Sequence, residues 1–190
     1  MNVPPLPSML TALVIGAATV ALGGCRADDP TPQKEGAAAA GDLGPTVPPR
    51  VAPAPPGPGE SWNTAQIEWF DFNSGVARAT AENKPILLVV YTTWCPHCKN
   101  YSRVFEDPKV VEEVKGFIAI RIDADQDSDV AKRYAKDGSY IPRTFFLQPD
   151  GTPDFEVKAA RPQYAYFYDE RNPASLLAGM ASAKQRLAQR

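Results

Sequence analysis

Ile86-Leu87-Leu88-Val89-Val90-Tyr91, followed shortly by Trp94-Cys95-Pro96-His97-Cys98-Lys99, is the stretch of this sequence that decides the fold. The first six residues are apolar and rich in β-branched side chains, which is typical of a central strand covered on both faces. Pro96 has its φ angle already set for a first helical position, so a helix is expected directly after Cys95. The sequence therefore predicts a buried strand that leads two cysteines into the first turn of a helix.

The spacing of Cys95 and Cys98 is that of a redox pair. At a helix start, unsatisfied N–H groups and the helix dipole favour an anion, so Cys95 is predicted to be an exposed, nucleophilic thiolate. Cys98, one turn into the helix, is predicted to be more buried and to resolve the mixed disulfide that Cys95 forms. A disulfide closing so short a loop would stabilise the fold very little, because the entropic gain grows with loop length. A structural disulfide is the weaker interpretation.

The neighbours of the two cysteines, Trp94, Pro96 and His97, are candidates for tuning their chemistry. His97 adds a potentially cationic group beside the sulfur, and a stabilised thiolate makes the dithiol–disulfide couple more oxidising. The alternative for His97 is an exposed residue without influence. Trp94 is expected to flank and shield the sulfurs, with plain packing as the alternative.

The remaining pattern predicts an α/β fold in which a mixed sheet lies between two layers of helix. Before the central strand, the signals are an apolar edge strand or arm (Trp62, Ile67, Trp69, Phe70) and a helix capped by Asn73 or Ser74. After it come a helix that follows Cys98, a second helix starting at Asp107-Pro108, a strand over residues 117–122 and a helix capped by Asp127 or Ser128. The last signals are a strand over residues 144–147, a returning antiparallel strand with Phe155 and Val157, and a final helix starting at Asn172-Pro173.

The first 24 residues resemble the signal peptide of a bacterial lipoprotein. Residues 9–22 form an uncharged, largely apolar run, too short to span a bilayer, which needs about 20 residues. Leu22-Gly23-Gly24-Cys25 is similar to a lipobox, which predicts lipid attachment at Cys25 and membrane anchoring. The residues before Met9 lack the usual Lys or Arg, and an ordinary cleaved signal is the alternative. Arg26 weakly favours the outer membrane, so the predicted location is the cell envelope, facing the periplasm.

Residues 25–60 are predicted to be a disordered linker rich in Pro, Gly and Ala. Such a segment has too few large apolar side chains to fold and would serve as a spacer between a membrane and the domain predicted for residues 61–190. The net charge of −2 and the absence of a Lys/Arg-rich stretch argue against nucleic acid as a partner.

The stretch from Trp94 to Lys99, together with Ile141-Pro142, resembles the thioredoxin superfamily over residues 61–190. The resemblance implies a thioredoxin-like three-layer α/β/α sandwich and a cis Pro142 that faces the two sulfurs. It also implies that the backbone of Ile141 pairs with a substrate chain as an added strand. The expected activity is dithiol–disulfide exchange on protein thiols and disulfides, without a cofactor and with an unidentified recycling partner. An ordinary trans proline is the alternative for Pro142.

Within the superfamily, the sequence YIPRTFFLQPDG at residues 140–151 is especially similar to single-domain thioredoxin-like proteins of the endoplasmic reticulum and their anterior-gradient relatives. The Pro-His pair between the cysteines also matches the DsbA oxidants. One position departs from the thioredoxin pattern, because Val89 stands where thioredoxins carry a buried carboxylate that helps to move the proton of the second thiol. Asp71 and Asp123 are the candidate replacements, and the direction of catalysis stays open.

Three functions are consistent with these residues. The leading interpretation is a membrane-anchored, periplasm-facing thiol–disulfide oxidoreductase that uses Cys95 and Cys98. The second is a non-catalytic binding or chaperone module on the same fold. The third is a soft-metal protein in which the two thiolates and the His97 imidazole hold Cu(I); zinc is disfavoured because it normally takes four ligands.

Overall fold

The computed structural model describes residues 61–189. In chain order the helices and strands are β1 (Trp69–Phe70), α1 (Phe72–Glu82), β2 (Ile86–Tyr91), α2 (Pro96–Ser102), α3 (Pro108–Val114), β3 (Ile118–Asp123), α4 (Ser128–Arg133), β4 (Arg143–Leu147) and α5 (Pro173–Leu187). A 3₁₀ turn, Arg103–Glu106, connects α2 to α3. The predicted signal peptide, Cys25 and the linker lie outside the described residues. Between residues 61 and 189, no helix has both the length and the apolar character needed to cross a membrane.

The four strands form one mixed sheet in the order β1-β3-β2-β4. Strands β1, β3 and β2 are parallel, and β4 runs antiparallel to β2. Strand β2 lies inside the sheet and all six of its residues are buried, as its uninterrupted apolar sequence predicts. Its Val89 is in register with Arg121 of β3 and with Thr144 of β4.

The two faces of β2 contribute to different cores, because successive side chains of a strand point to opposite sides. Leu87, Val89 and Tyr91 belong to the core that contains both cysteines and the buried residues of α3 and α5; this side is called the cysteine face. Ile86, Leu88 and Val90 belong to the other core, with residues of α1 and α4, called the opposite face. Helices therefore cover both sides of the sheet, and the predicted three-layer thioredoxin-like fold is confirmed.

The helix caps explain where several elements begin. Helix α3 starts at Asp107, whose Oδ1 accepts from Lys109 N at 2.8 Å, and α5 starts at Asn172, whose Oδ1 accepts from Ala174 N at 2.9 Å. Both caps were predicted. The prediction for α1 is wrong, because Asp71 and not Asn73 or Ser74 is the cap: its Oδ1 accepts from Ser74 N at 3.0 Å.

The predicted returning strand at Phe155 and Val157 is also wrong. Within residues 61–189, the chain that follows β4 forms an isolated β-bridge between Leu147 and Pro153 in place of a strand. The chain then turns, since Val157 N donates to Asp154 O at 3.2 Å and the Asp154 carboxylate accepts from Arg186 Nε of α5 at 2.8 Å. Phe155 and Val157 still reach apolar surroundings, one on each face of the sheet.

Candidate active site

Strand β2 and helix α2 position the two cysteines. Cys95 is the N-cap residue of α2 and has extended backbone angles, and its carbonyl accepts from Lys99 N at 3.2 Å. Both cysteines are in the reduced, thiol form. Cys95 is 4% exposed and Cys98 is fully buried. Cys98 is therefore more buried than Cys95, as predicted, but the prediction that the Cys95 sulfur is exposed is wrong.

The segment before β4 explains why Cys95 is covered. The Ile141–Pro142 peptide bond is cis, which is the geometry that the resemblance implied. The carbonyl oxygen of Ile141 lies 4.0 Å from the Cys95 sulfur, and Pro142 is buried. Residues 46 positions apart in the sequence thus meet at the reactive sulfur. The backbone of Ile141 therefore lies directly beside the Cys95 sulfur.

A buried hydrogen bond lies on the cysteine face, where β4 meets α2. Tyr101, one turn after Cys98, has its hydroxyl 2.8 Å from Thr144 Oγ1. Burial raises the pKa of Tyr101, and the hydrogen bond to Thr144 opposes this only in part. The hydroxyl therefore stays neutral at any physiological pH.

The two aspartates considered as replacements for the carboxylate missing at Val89 have other hydrogen-bond partners. Asp71 caps α1 through both carboxylate oxygens. Asp123, at the end of β3, accepts from Asp125 N at 2.9 Å. Val89 itself is fully buried between Arg121 and Thr144 in register. Both carboxylates are thus engaged by backbone N–H groups close to them in the sequence.

Arg143 secures the backbone that leads into the cis proline. Its side chain is 1% exposed, and its Nη1 donates to Tyr134 O at 2.9 Å and to Gly138 O at 2.8 Å. Burial lowers the pKa of this guanidinium, although arginine stays protonated in proteins. The buried cation is thus held by carbonyl dipoles at the end of α4. Next to it, Tyr140 Oη donates to the Asp137 carboxylate and accepts from Tyr166 N at 3.0 Å.

The second side of the cysteine pair is formed by polar residues of α2 and by residues 167–170, and it is partly exposed to solvent. The His97 side chain is 62% exposed, and its Nδ1 lies 2.7 Å from Glu170 Oε2. Asn100 Nδ2 donates to Glu170 Oε1 at 3.2 Å, and the Phe167 ring meets the His97 ring edge-on at 5.9 Å. Glu170 is a site residue that the sequence does not reveal, because 73 residues separate it from His97 and no motif in the chain relates the two.

Trp94 is the predicted site residue whose surroundings differ most from expectation. Its ring is 64% exposed, and its Nε1 donates to Asp125 Oδ2 at 2.7 Å. The structure thus fixes this indole to the loop after β3, with most of the residue in solvent. Pro96 is exposed at the first position of α2.

The metal-binding alternative has a limited set of ligands. Over residues 61–189, no group of three or more His, Cys, Asp or Glu side chains is arranged to hold a metal ion. The single imidazole of the chain, His97, already has Glu170 as a partner.

Residues 65–149, which include both cysteines and Pro142, match the family model described as Thioredoxin-like. The chain is 27% identical over 128 residues to Anterior gradient protein 1 of Xenopus tropicalis, covering 64% of this chain and 65% of that protein. It is 24% identical over 123 residues to the Anterior gradient protein 2 homolog of Homo sapiens, covering 64% and 69%.

A protein disulfide-isomerase of Schizosaccharomyces pombe is 37% identical over 82 residues, which is 43% of this chain and 22% of that longer protein. A solved thioredoxin from Thermus thermophilus superposes with a TM-score of 0.49 and 20% identity, covering 63% of this chain and 88% of that one. The aligned residues cover less than two thirds of the Xenopus tropicalis protein and of the Schizosaccharomyces pombe protein. Residues 65–149 of this chain are thus similar to the thioredoxin-like family, and anterior gradient proteins are among the proteins that the chain resembles.

Proposed function

We propose that this protein is a thiol–disulfide oxidoreductase that exchanges a Cys95–Cys98 dithiol or disulfide with polypeptide substrates. The observation that carries the proposal is the meeting of the two cysteines at the start of α2 with the cis Ile141–Pro142 segment. The match to a protein disulfide-isomerase supports the same chemistry at a coarser level.

In the reductive direction, the Cys95 thiolate attacks one sulfur of a substrate disulfide. A bond forms between Cys95 and that sulfur, and the other substrate sulfur leaves as a thiolate. Cys98 then loses its proton and attacks the Cys95 sulfur, which closes the Cys95–Cys98 disulfide and releases the second substrate thiolate. Two electrons pass from the enzyme dithiol to the substrate, and the oxidative direction is the same sequence reversed.

The polypeptide substrate is placed by the backbone next to Pro142. Because Ile141 lies beside the Cys95 sulfur, an extended chain pairing with the Ile141 backbone would bring its own cysteine to Cys95. Main-chain pairing of this kind is largely independent of sequence, so we infer a broad range of protein substrates.

The test is insulin reduction with dithiothreitol as the electron source, together with oxidation of a reduced peptide. Cys95→Ser should abolish both activities. Cys25→Ser removes the remaining cysteine of the chain and should leave both activities unchanged, which makes it the matched control. Full activity of Cys95→Ser in both assays would overturn the proposal.

We further propose that the domain is anchored to the bacterial cell envelope through a lipid on Cys25 and faces the periplasm. The lipobox-like Leu22-Gly23-Gly24-Cys25 supports this location. Metabolic labelling with a radioactive fatty acid should label the unsubstituted protein and not Cys25→Ser. Equal labelling of both forms would contradict lipid attachment at this residue.

A further inference from the structure

Glu170 reaches the active site from a loop that the proposed chemistry does not use. Its side chain is only 11% exposed, although the loop lies at the surface. One carboxylate oxygen contacts His97 Nδ1 at 2.7 Å, and the other accepts from Asn100 Nδ2 at 3.2 Å. Both partners belong to α2, the helix that starts at Cys95. Glu170 therefore bridges two residues of this helix, one on each side of Cys98.

The backbone around Glu170 is itself held in place. Asp169 Oδ1 accepts from Arg171 N at 2.8 Å and from Asn172 N at 3.2 Å, which closes a turn around Glu170. Asp169 N donates to Ser175 Oγ at 2.8 Å, and Asn172 caps α5. The carboxylate is thus presented to α2 by a preorganised turn fixed to a long helix.

We propose that Glu170 is a positioning residue that sets the redox equilibrium of Cys95 and Cys98 through His97. This inference rests on the proposed function, because it assigns regulation to the same site. A carboxylate at hydrogen-bond distance fixes the orientation of the His97 ring through Nδ1 and places a negative charge beside it. A cationic imidazole in the first turn of α2 stabilises the thiolate of the reduced form. Glu170 therefore makes the couple more oxidising.

Other charges near His97 are weaker influences. Arg171 Nε lies 3.9 Å from Glu170 Oε1 and its side chain is 82% exposed. Arg161 stacks on the Phe167 ring at 4.6 Å, on the ring that contacts His97. Both are cations, so neither can replace Glu170 as the acceptor for the imidazole. Glu170 is the acidic side chain that contacts His97 among the described residues.

The test is the equilibrium of the Cys95–Cys98 pair with glutathione, measured for the unsubstituted protein, E170Q, H97A and the double variant. E170Q should shift the equilibrium about threefold toward the disulfide, in keeping with a partly exposed ion pair. In the H97A background, E170Q should cause no shift in that direction. The control is E113Q, which removes a carboxylate from the pair between α3 and α5 that Glu113 forms with Lys184 at 2.6 Å, a pair that does not include His97; it should leave the equilibrium unchanged.

An unchanged equilibrium in E170Q, or the same shift with and without His97, would overturn the inference. Neither result depends on a protein substrate, so failure here is separate from failure of the insulin assay. A second measurement uses the unsubstituted protein, whose single histidine gives one set of imidazole NMR signals. An Nδ1–H proton protected from exchange with water at pH 6 is expected, and a freely exchanging proton would contradict the pairing.

Discussion

The two sides of the Cys95–Cys98 pair are built in different ways. The buried side comprises residues 142–144 with Tyr101; the Tyr101 and Thr144 hydroxyls bond to each other, and Arg143 Nη1 donates to backbone carbonyls. The exposed side comprises His97, Phe167 and Glu170, and its central contact is the 2.7 Å contact between His97 and Glu170, with one partner largely in solvent. The buried side therefore maintains the architecture of the site, while the exposed side adjusts its chemistry.

This difference has a measurable consequence. A buried polar group that loses its partner costs its full desolvation penalty, whereas an exposed ion pair contributes little to stability. Substitutions on the buried side should change the free energy of unfolding. Substitutions on the exposed side should change the redox equilibrium and leave unfolding almost unaffected.

The largest expected effect is a difference in the free energy of unfolding between substitutions of two arginines, Arg143 on the buried side and Arg161, which contacts Phe167 on the exposed side. Arg143→Met should lower the free energy of unfolding by about 3 kcal/mol, because carbonyls at the end of α4 lose their buried donor. Arg161→Met removes an exposed cation from the Phe167 ring and should cost less than about 1 kcal/mol. Urea denaturation under reducing conditions measures both values. Equal losses would show that the two sides do not differ in this way.

The next largest effect is a fall in the free energy of unfolding at alkaline pH, which we expect from Tyr101 on the buried side. Burial raises the pKa of Tyr101 in the folded protein, while the unfolded chain ionises this side chain near pH 10. The stabilisation is thus fully present below pH 10 and is lost as pH rises further. Above pH 10, Tyr101 alone should lower the free energy of unfolding by about 1.4 kcal/mol per pH unit.

Tyr101→Phe should therefore reduce the slope of the free energy of unfolding against pH between pH 10 and 11.5. The remaining slope would come from other buried tyrosines, including Tyr166, whose pKa burial raises to about 12. Urea titrations at several pH values give the slope. An identical slope in the two proteins would contradict the assignment.

A smaller effect concerns the bond between Tyr101 and Thr144. Tyr101→Phe and Thr144→Val each leave the other hydroxyl buried without its partner, and each should cost about 1.5 kcal/mol at pH 7. The double variant should cost about 1 kcal/mol less than the sum of the two. Additive losses in this double-mutant cycle would mean that the bond does not contribute.

The smallest effect is expected on the exposed side. Glu170→Gln should change the free energy of unfolding by less than about 1 kcal/mol, because the His97 side chain is 62% exposed. Thermal denaturation at pH 7 compares it with the unsubstituted protein. A loss as large as that of Arg143→Met would place Glu170 in the architecture of the fold instead.

The sequence predicted those parts of the molecule that depend on local patterns. The apolar run at residues 86–91 predicted a central strand, and the caps Asp107 and Asn172 predicted the starts of α3 and α5. The pairing of Ile141-Pro142 with the cysteines came from resemblance, because nothing in the local sequence distinguishes a cis from a trans proline.

The missed features depend on contacts between distant residues. The turn at Asp154 replaces the expected strand because its carboxylate pairs with Arg186 of α5. The cover over Cys95 and the contact of Glu170 with His97 arise in the same way, from segments 46 and 73 residues away. Periodicity and capping signals carry no information about such contacts.

The central claim is that Cys95 attacks and Cys98 resolves, and trapping of the mixed disulfide tests it most directly. A peptide with one disulfide is incubated with reduced Cys98→Ser and with reduced Cys95→Ser, each combined with Cys25→Ser, and the products are weighed by intact-mass spectrometry. Cys98→Ser should accumulate a covalent complex through Cys95, and Cys95→Ser should not. A complex that forms mainly on Cys95→Ser, or on neither protein, would contradict the account.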